Sequence, residues 1–466
     1  MTIHIKALAS SPGFAMTSVA ALSCVCGSVM TALAQGLPTP PRELSRDSVA
    51  AHSAQTAGLA TPATPDGSYW TQEWGTGNWG GRRQTLRSKG VALDLRLTQS
   101  YQGVSTDAPQ NEGGYGGKFD TKVSFEFGPL VGWQGLSGQV ITETRFGDIP
   151  TVVGTKLIPT TYLITPKSAG TVFAITAVNV TQLVAINRTK GDFLAIGAGK
   201  YMGFDGADSP FHGGGGHTTF LHLAFNGTPT HGRLVPSVTN GANLAWVRKG
   251  NPFLTFSVRD ATGHPTTPGI TDMFRDGATF ISGISVPTKF RGRSGKHSFT
   301  GMVTTKEFTP FDQGPGETPD PVLPSEPLVP RAGSWIVQYK FFQYFSEHKA
   351  TDGTTTGWGV FGTLVGADGE TNKSGAVLTV GIGGTAPFRS RPYDRYGIAY
   401  SQDGVSFPYR DQARPFDLNS ENVLEAFYGF AFTRFIVVTA DLQVIRPMVQ
   451  LRRTAVLPGV RMVVNF

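Results

Sequence analysis

Hydrophobic and polar residues alternate along most of the chain after residue 90. In one stretch Val91, Leu93, Leu95 and Leu97 alternate with polar or small residues, and the final stretch places apolar residues at 460, 462, 464 and Phe466. Successive side chains of a strand point to opposite faces, whereas a helix would repeat about every 3.6 residues. The pattern therefore predicts an all-β fold.

The alternating stretches predict about 16 antiparallel strands, an even number with lengths typical of a transmembrane β-barrel. A soluble β-sandwich would show the same alternation, so the pattern alone leaves both folds open. The predicted strands cover 90–101, 117–127, 136–147, 171–186, 192–200, 241–248, 252–259, 277–290, 297–308, 335–346, 356–366, 374–384, 394–402, 423–432, 436–445 and 456–466.

The lengths of the connections favour the barrel. If Phe466 lies at the periplasmic end, short turns fall on one side and every long connection falls on the other, as in bacterial outer-membrane barrels. A sandwich has no reason to sort its loops in this way. The short turns include 187–191, 249–251 and 433–435, and the long external loops are 148–170, 201–240, 260–276, 309–334 and 403–422.

The residues before the first strand predict export. Residues 1–34 read as a signal peptide, with an apolar stretch that closes on Ala32-Leu33-Ala34; a membrane anchor is the alternative. We expect a Pro/Ala/Ser-rich periplasmic linker over 35–68, an aromatic and Gly-rich periplasmic segment over 69–89, and the barrel over 90–466. The segment 69–89 is expected either to plug the periplasmic mouth or to pack on its rim.

Composition supports this class of protein. Charged residues make up 16% of the chain, there are 59 Gly and 31 Phe, and both cysteines lie within the predicted signal. The mature chain would then have no disulfide and no thiolate metal site. The net charge of +7 comes without Lys/Arg runs, so no nucleic acid partner is expected.

Strand alternation also predicts which polar residues point into the barrel. We expect pore-lining or solute-contacting side chains at Asp94, Arg96, Lys122, Glu126, Glu143, Arg145, Gln338, Lys340, Glu425, Asp441 and Gln443. The alternative for each is ordinary polarity of the wall with no selective role.

The external connection 201–240 is predicted to fold into the barrel and narrow it. Glycines at 213–216 let a backbone lie close to the wall, and four histidines lie in this connection. An exposed loop and a metal site are the alternatives, but the histidine spacing matches no metal-binding scheme, so no metal and no cofactor are expected. The candidate constriction residues are Asp205, Asp208, Phe211, His212 and His217.

Several blocks resemble the carbohydrate-selective porin (OprB-type) family of Gram-negative outer membranes. They are WGGRR at 79–83, WIVQY at 335–339, GWGVFG at 357–362, RPYDRYG at 391–397, EAFY at 425–428 and DLQ at 441–443. The resemblance covers about residues 75–466. It implies a 16-stranded porin that passes sugars such as glucose.

The sequence therefore predicts a passive outer-membrane channel for mono- or oligosaccharides, without enzyme activity. The alternatives are a general or anion-preferring diffusion porin and, from another class, a barrel enzyme such as a lipid hydrolase. The expected partners are small sugars, outer-membrane lipid and the barrel assembly machinery, which would recognise the strand ending at Phe466. The chain is expected to be a monomer or a homotrimer.

Overall fold

The computed structural model describes residues 69–70, 72–105, 113–149, 158–163, 170–203, 209–227, 229–312, 329–349, 354–388, 390–413, 416–449 and 453–466. Within these ranges the chain forms sixteen strands. The strands are β1 Val91–Gln102, β2 Gly114–Glu126, β3 Leu136–Gly147, β4 Val172–Asn187, β5 Asp192–Met202, β6 Val238–Arg248, β7 Asn251–Asp260, β8 Ala278–Phe290, β9 Arg293–Phe308, β10 Arg331–Lys349, β11 Thr355–Ala367, β12 Ser374–Thr385, β13 Arg395–Val405, β14 Glu421–Ala431, β15 Ile436–Arg446 and β16 Ala455–Asn465.

The strands close into a barrel. Each strand pairs antiparallel with its neighbours in the sequence, and β1 pairs with β16, with Arg96 opposite Asn465 and Gln102 opposite Gly459. Closure leaves no sheet edge with unpaired N–H and C=O groups, which is the condition for a sheet to exist in lipid. The predicted 16-stranded antiparallel barrel is confirmed.

All sixteen predicted strands are present, and most of the differences are at their ends. β10 and β9 extend several residues beyond the predicted 335–346 and 297–308. Their backbone pairing extends to residues 331–334, with a register shift between Ala332 and Ser334, and to 293–296, where the strict alternation of apolar and polar residues is already lost. The backbone hydrogen bonds between strands do not depend on the polarity of the side chains. A strand can therefore continue beyond the stretch in which apolar and polar residues alternate, and the alternation underestimates its length.

The connections sort into two sides. On the side where β16 ends, which we call the turn side, lie 127–135, 188–191, 249–250, 291–292, 350–354, 386–394 and 432–435. The opposite side, called the loop side, carries 103–113, 148–171, 203–237, 261–277, 309–330, 368–373, 406–420 and 447–454. The predicted asymmetry is confirmed, although 368–373 is a short connection on the loop side.

The outer face of the barrel is apolar. Large hydrophobic side chains are exposed on strands all around the wall, among them Phe173, Phe299, Val337, Leu364 and Val460. Most of the residues that alternate with them point inward and are buried. An outward apolar band on a closed sheet is the surface that lipid requires.

The helices are short and lie either before β1 or in the connections between strands. They are α1 Arg82–Ser88, α2 Phe127–Val131, α3 Leu223–Asn226, α4 Phe407–Gln412 and one 3₁₀ turn, Pro229–Arg233. Among the described residues, none of these helices has the length and apolar character needed to cross a membrane. The predicted signal peptide 1–34 and the whole of the predicted linker 35–68 lie outside the described residues.

The segment before β1 packs on the turn-side rim. The N–H of Gly75 donates to the Asn465 carbonyl at 2.8 Å, and the Tyr69 ring packs against Phe435 with centroids 5.2 Å apart. Arg83 donates to the main-chain oxygen of Phe466 at 2.9 Å. The segment therefore contacts the wall where β1 and β16 close the barrel.

Candidate functional site

The inner wall of the barrel has an apolar region that is covered by part of the connection 203–237. Aromatic side chains of this connection pack against inward-facing aromatics of β10, β11 and β14. Phe211 lies 4.7 Å from Tyr344, and Phe220 lies 4.8 Å from Phe427, measured between ring centroids. These rings form a buried cluster with Phe225, Phe361, Ala399, Val423, Ile445, Ala455 and Leu457.

The described residues 209–227, called the inward segment, therefore lie inside the barrel. A 16-stranded barrel would otherwise enclose a wide aqueous channel. The segment removes a large part of that space by packing on the wall, since Phe220 and Phe225 are almost fully buried. Further along the chain, Leu234 and Val235 pack on Met302, Ile336, Val365 and Val377.

Two charged side chains of the wall hold the inward segment by its backbone. Arg461 of β16 donates to the carbonyl oxygens of Gly216 and Thr219, at 2.6 and 2.5 Å. The Glu425 carboxylate of β14 accepts from the N–H groups of Leu221 and His222, at 2.5 and 3.0 Å. Charge-assisted hydrogen bonds of this kind are stronger than neutral ones, so these two residues fix the position of the segment.

Asn226 organises the segment internally. Its side-chain oxygen accepts from the Gly216 N–H at 2.8 Å, and its amide nitrogen donates to the carbonyls of Phe220 and His222 at 2.6 and 3.1 Å. The backbone groups of an irregular segment need partners when they are buried. Asn226 supplies them where helix α3 is too short to do so.

A second stretch, residues 158–163, also packs against the inward segment. Leu221 and Leu163 form a small apolar cluster with Ile149, and the Tyr162 N–H donates to the Leu221 carbonyl at 3.0 Å. Gln443 donates to the Thr160 carbonyl at 3.0 Å. Nothing in the alternation pattern indicated that the connection after β3 would fold inward.

The wall of β2 and β3 carries a charged cluster. Glu143 pairs with Arg145 at 2.7 Å and with Lys118 at 3.2 Å, and Lys118 also pairs with Asp120 at 3.3 Å. All four side chains are buried or largely buried. Two acids and two bases at these distances compensate each other, so this part of the lumen carries both signs of charge rather than a single-sign field.

His217 connects the inward segment to this charged wall. Its Nδ1 lies 2.7 Å from the Thr98 hydroxyl, and its Nε2 lies 3.5 Å from Asp120. Burial and the nearby cations Arg96, Lys118 and Arg461 hold the pKa of His217 well below 6.5. The ring is therefore neutral at pH 7, and the contact with Asp120 is not an ion pair.

His222 is a buried neutral histidine at the start of α3. Its Nδ1 accepts from the Ala224 N–H at 3.2 Å, and burial lowers its pKa to about 3. Within the described ranges, no group of three or more His, Cys, Asp or Glu side chains is arranged to hold a metal ion. His212 stacks on Phe361, with ring centroids 4.3 Å apart.

The predicted pore-lining residues fall into two groups. Some keep partial exposure on the inner face; these are Asp94, Arg96, Lys122, Glu126 and Lys340. The others are buried, namely Glu143, Arg145, Gln338, Glu425, Asp441 and Gln443. Asp94 pairs with Arg87 of α1 at 3.6 Å, and Arg96 donates to the Asn465 side chain at 3.1 Å.

Direct contact with a solute is not available to Glu425 and Gln443, which corrects the expectation for these two residues. Both side chains are 0% exposed because the inward segment and residues 158–163 cover them. They hold the folded-in chain in place. The candidate constriction residues Phe211, His212 and His217 lie within the barrel, whereas Asp205 and Asp208 lie outside the described residues.

Sequence reasoning missed several residues of this site. Arg461 was visible as the polar residue of the C-terminal alternation, and Lys118 and Asp120 share the inward parity of Lys122. The alternation of inward and outward positions could therefore have identified these three residues as part of the lumen wall. No pattern in the sequence indicates the roles of Asn226 and Phe220, because these roles depend on where an irregular segment folds.

This geometry defines a class of protein: a closed 16-stranded barrel with an apolar outer face, short turns on one side and a segment folded into its lumen is an outer-membrane porin. The sequence matches the family model described as "Carbohydrate-selective porin, OprB family" over residues 110–466, which is most of the chain. The chain belongs to the carbohydrate-selective porin family.

Solved structures share the fold. A structure of Pseudomonas putida OprB at high pH is similar with a TM-score of 0.71 and 17% identity, covering 86% of this chain and 100% of that one. The low-pH structure of the same protein is similar with a TM-score of 0.51 and 17% identity, covering 85% and 99%. No curated protein sequence matches the chain significantly.

Proposed function

We propose that the lumen passes neutral mono- and oligosaccharides of glucose-like chemistry by passive diffusion into the periplasm. The observation that carries this proposal is the inward segment, which is fixed to the wall by Arg461 and Glu425 and narrows a lumen lined by charges of both signs. A narrow polar passage replaces the hydrogen bonds of a solute with water without holding the solute tightly.

The partly exposed lumen residues suit a sugar. Arg96 and Lys122 offer hydrogen-bond donors, and Asp94 and Glu126 offer acceptors. The hydroxyl groups of a sugar, which both donate and accept, therefore find partners along the wall. A passage lined by one sign of charge would suit an ion better.

Planar-bilayer recordings of the purified porin test this proposal. We expect glucose or a maltooligosaccharide to reduce the ion current in a concentration-dependent way, and we expect liposomes containing the porin to take up glucose faster than an organic acid of similar size. The surplus of Lys and Arg favours the alternative, an anion-preferring channel. A strongly anion-selective reversal potential with no sugar block would establish that alternative and reject ours.

We also propose that the chain has no enzymatic activity, because the family to which it belongs is a family of channels. The competing idea is a barrel enzyme that hydrolyses lipid. Incubation of the folded barrel with phospholipid, followed by analysis of released fatty acid, decides between them. Release above that of the heat-unfolded protein would overturn the proposal.

The finer aspects of localisation and assembly are also proposals. We propose that residues 1–34 are cleaved on export, that 35–68 is a periplasmic linker, and that the strand ending at Phe466 is recognised by the barrel assembly machinery. The apolar outer face supports direct contact with membrane lipid. N-terminal sequencing of the mature protein tests the cleavage, and light scattering in detergent distinguishes a monomer from a homotrimer.

A further inference from the structure

The outer wall of β4–β7 carries a pocket that is separate from the lumen. Connection 261–277 folds down over the outside of the barrel and is tied there by two outward-facing side chains. Lys200 donates to the Thr267 carbonyl at 2.8 Å, and Asn240 donates to the carbonyls of Pro268 and Gly269 at 3.0 and 2.9 Å. These bonds satisfy the polar groups that would otherwise face lipid.

Small residues make the floor of this pocket. Ala198 of β5 lies directly opposite Ala242 of β6, and both point outward. Their short side chains leave a depression between the larger outward residues of the adjacent strands, Val178 of β4 and Val258 of β7. The cavity has a volume of about 760 Å³, which is within the usual range for a small-molecule site.

Apolar residues form the sides and the roof. Phe173 and Ile175 of β4 stand at one side, and Ile270, Met273 and Phe274 of the folded-down connection lie above the floor. Ile270 is 72% exposed, and Met273 and Phe274 beside it are exposed too, so the roof presents a contiguous apolar patch. Phe274 has φ of 64°, a left-handed conformation that is costly for a bulky residue. Such a conformation persists only where the surrounding structure holds the residue in it.

We propose that this pocket binds one hydrocarbon chain of an outer-leaflet glycolipid. The pocket is continuous with the apolar face that the barrel presents to the membrane, since Phe173, Ile175 and Val178 belong to both. It lies at the loop-side ends of β5, β6 and β7, and long loops are external in outer-membrane barrels. The occupant is therefore a lipid of the external leaflet, and the chemistry of the site is apolar contact.

The wall itself excludes the transported solute as the occupant. The side chains of the pocket point away from the lumen, and the inward neighbours Tyr201 and Arg259 lie on the opposite face, with the guanidinium of Arg259 4.4 Å from the Tyr201 ring. Filling the pocket should leave transport unchanged. This separates the inference experimentally from the proposed sugar function.

The test compares three full-length proteins purified in detergent: wild type, Ala242→Leu and Ala376→Leu. Ala242→Leu fills the floor of the pocket, whereas Ala376 is another exposed alanine near the loop-side end of the wall, on β12, outside the pocket. The probes are purified lipid A and phosphatidylethanolamine, and native mass spectrometry counts the lipids retained. Migration of unboiled samples on gels, compared with boiled ones, confirms that each variant is folded independently of any sugar effect.

We expect wild type and Ala376→Leu to retain one lipid A molecule and Ala242→Leu to bind it about tenfold more weakly. A second variant, Ile270→Ser with Met273→Ser, removes the roof and should show the same loss. Equal retention by all variants, or no retention, would overturn the proposal. Equally strong pocket-dependent retention of phosphatidylethanolamine would overturn the assignment to the external leaflet. A dimer lost in Ala242→Leu would assign the pocket to a second copy of the chain instead.

Discussion

At the scale of single residues, the position of the inward segment depends on buried charged groups that bind its backbone. Arg461 occupies an inward position where the alternation of β16 requires only a polar or small residue, yet it is fully buried and its two bonds go to carbonyls of the segment. A guanidinium serves this role because its fork of donors reaches two acceptors at once. Its charge is compensated by nearby Asp441 and Glu425.

Replacement of Arg461 should loosen the inward segment without opening the barrel. In Arg461→Met the carbonyls of Gly216 and Thr219 lose their partners, at a cost of roughly 3 kcal/mol for breaking a buried charged contact. We expect larger and noisier single-channel conductance and weaker sugar block, with Arg461→Lys intermediate because it retains the charge but not the fork. Arg293→Gln, an exposed arginine of β9, is the control. Unchanged conductance in Arg461→Met would contradict the assigned role.

His222 makes the stability of the inward segment depend on pH. Its pKa in the folded protein is about 3, against 6.5 when exposed, because burial disfavours the charged ring. The released segment therefore binds more protons than the packed one between these values. The stabilisation is complete above about pH 6.5 and is lost as pH falls toward 3, by about 1.4 kcal/mol per pH unit at most.

The measurement is conductance and sugar block between pH 7 and pH 4. We expect the wild-type segment to loosen progressively as the pH falls. His222→Asn keeps an N-cap acceptor for α3 but cannot titrate, so its pH dependence should be weaker. His217, which faces Asp120, Arg96, Lys118 and Arg461, contributes a dependence of the same sign and remains in this variant. A wild-type response equal to that of His222→Asn would show that His222 does not titrate in this range.

At the scale of elements, the strands could be predicted and the two inward stretches could not. A strand such as β1 shows its two faces in its own sequence, because Leu93 and Leu95 meet lipid while Asp94 and Arg96 meet the lumen. Residues 158–163 have no periodicity, and their position depends on the partners Leu221 and Gln443 far away in the sequence. The glycines at 213–216 indicated an unusual backbone, and all four have positive φ, but not which wall it would contact.

Helix α1 and the residues before it form a local structure of their own, which lies beside β1 and β16, the two strands whose pairing closes the barrel. The Arg83 guanidinium lies between the rings of Trp74 and Trp79, 4.5 and 4.3 Å from their centroids, while it donates to Phe466. Burial lowers the pKa of Arg83 from its usual value, and a guanidinium is not deprotonated in proteins. The arrangement ties the segment before β1 to the end of β16.

Arg83→Ala should therefore weaken the closing seam of the barrel. Loss of a desolvated cation–π contact is expected to cost about 2 kcal/mol. The folded barrel should convert to the slowly migrating unfolded form at a lower temperature on gels of unboiled samples. Arg82→Ala is the matched control, because Arg82 is the exposed neighbour in the same helix. Equal conversion temperatures for the two variants would remove the proposed stabilising role of Arg83.

At the scale of the whole molecule, two loop-side connections fold in opposite directions. Residues 209–227 fold inward against an aromatic wall, whereas connection 261–277 folds outward over Ala198 and Ala242. Each connection packs on an apolar surface that the wall offers beside it, either on the inner face or on the outer face of the barrel. Inside, the wall presents Phe361 and Phe427; outside, it presents the band that faces lipid.

Because residues 209–227 fold into the lumen, the conductance of the channel should depend on them. Replacement of 209–227 by a short Gly/Ser linker should raise the conductance about twofold or more, since a 16-stranded barrel without an inward segment encloses an aqueous channel. Sugar block should be lost with it, because the narrow polar passage no longer exists. The variant should also unfold at a lower temperature, because Tyr344, Phe361 and Phe427 would then face water.

Replacement of 264–274 by the same linker is the matched control, because this stretch lies outside the wall. Conductance and sugar block should stay at the wild-type level in that variant, while lipid A retention falls. If the two replacements changed conductance equally, the effect would come from general loosening of the loop side. Selectivity would then not depend on where the inward segment lies. A change confined to the first variant would instead show that the inward segment, held by Arg461 and Glu425, narrows the lumen. The discrimination between sugars and larger solutes would then depend on this segment.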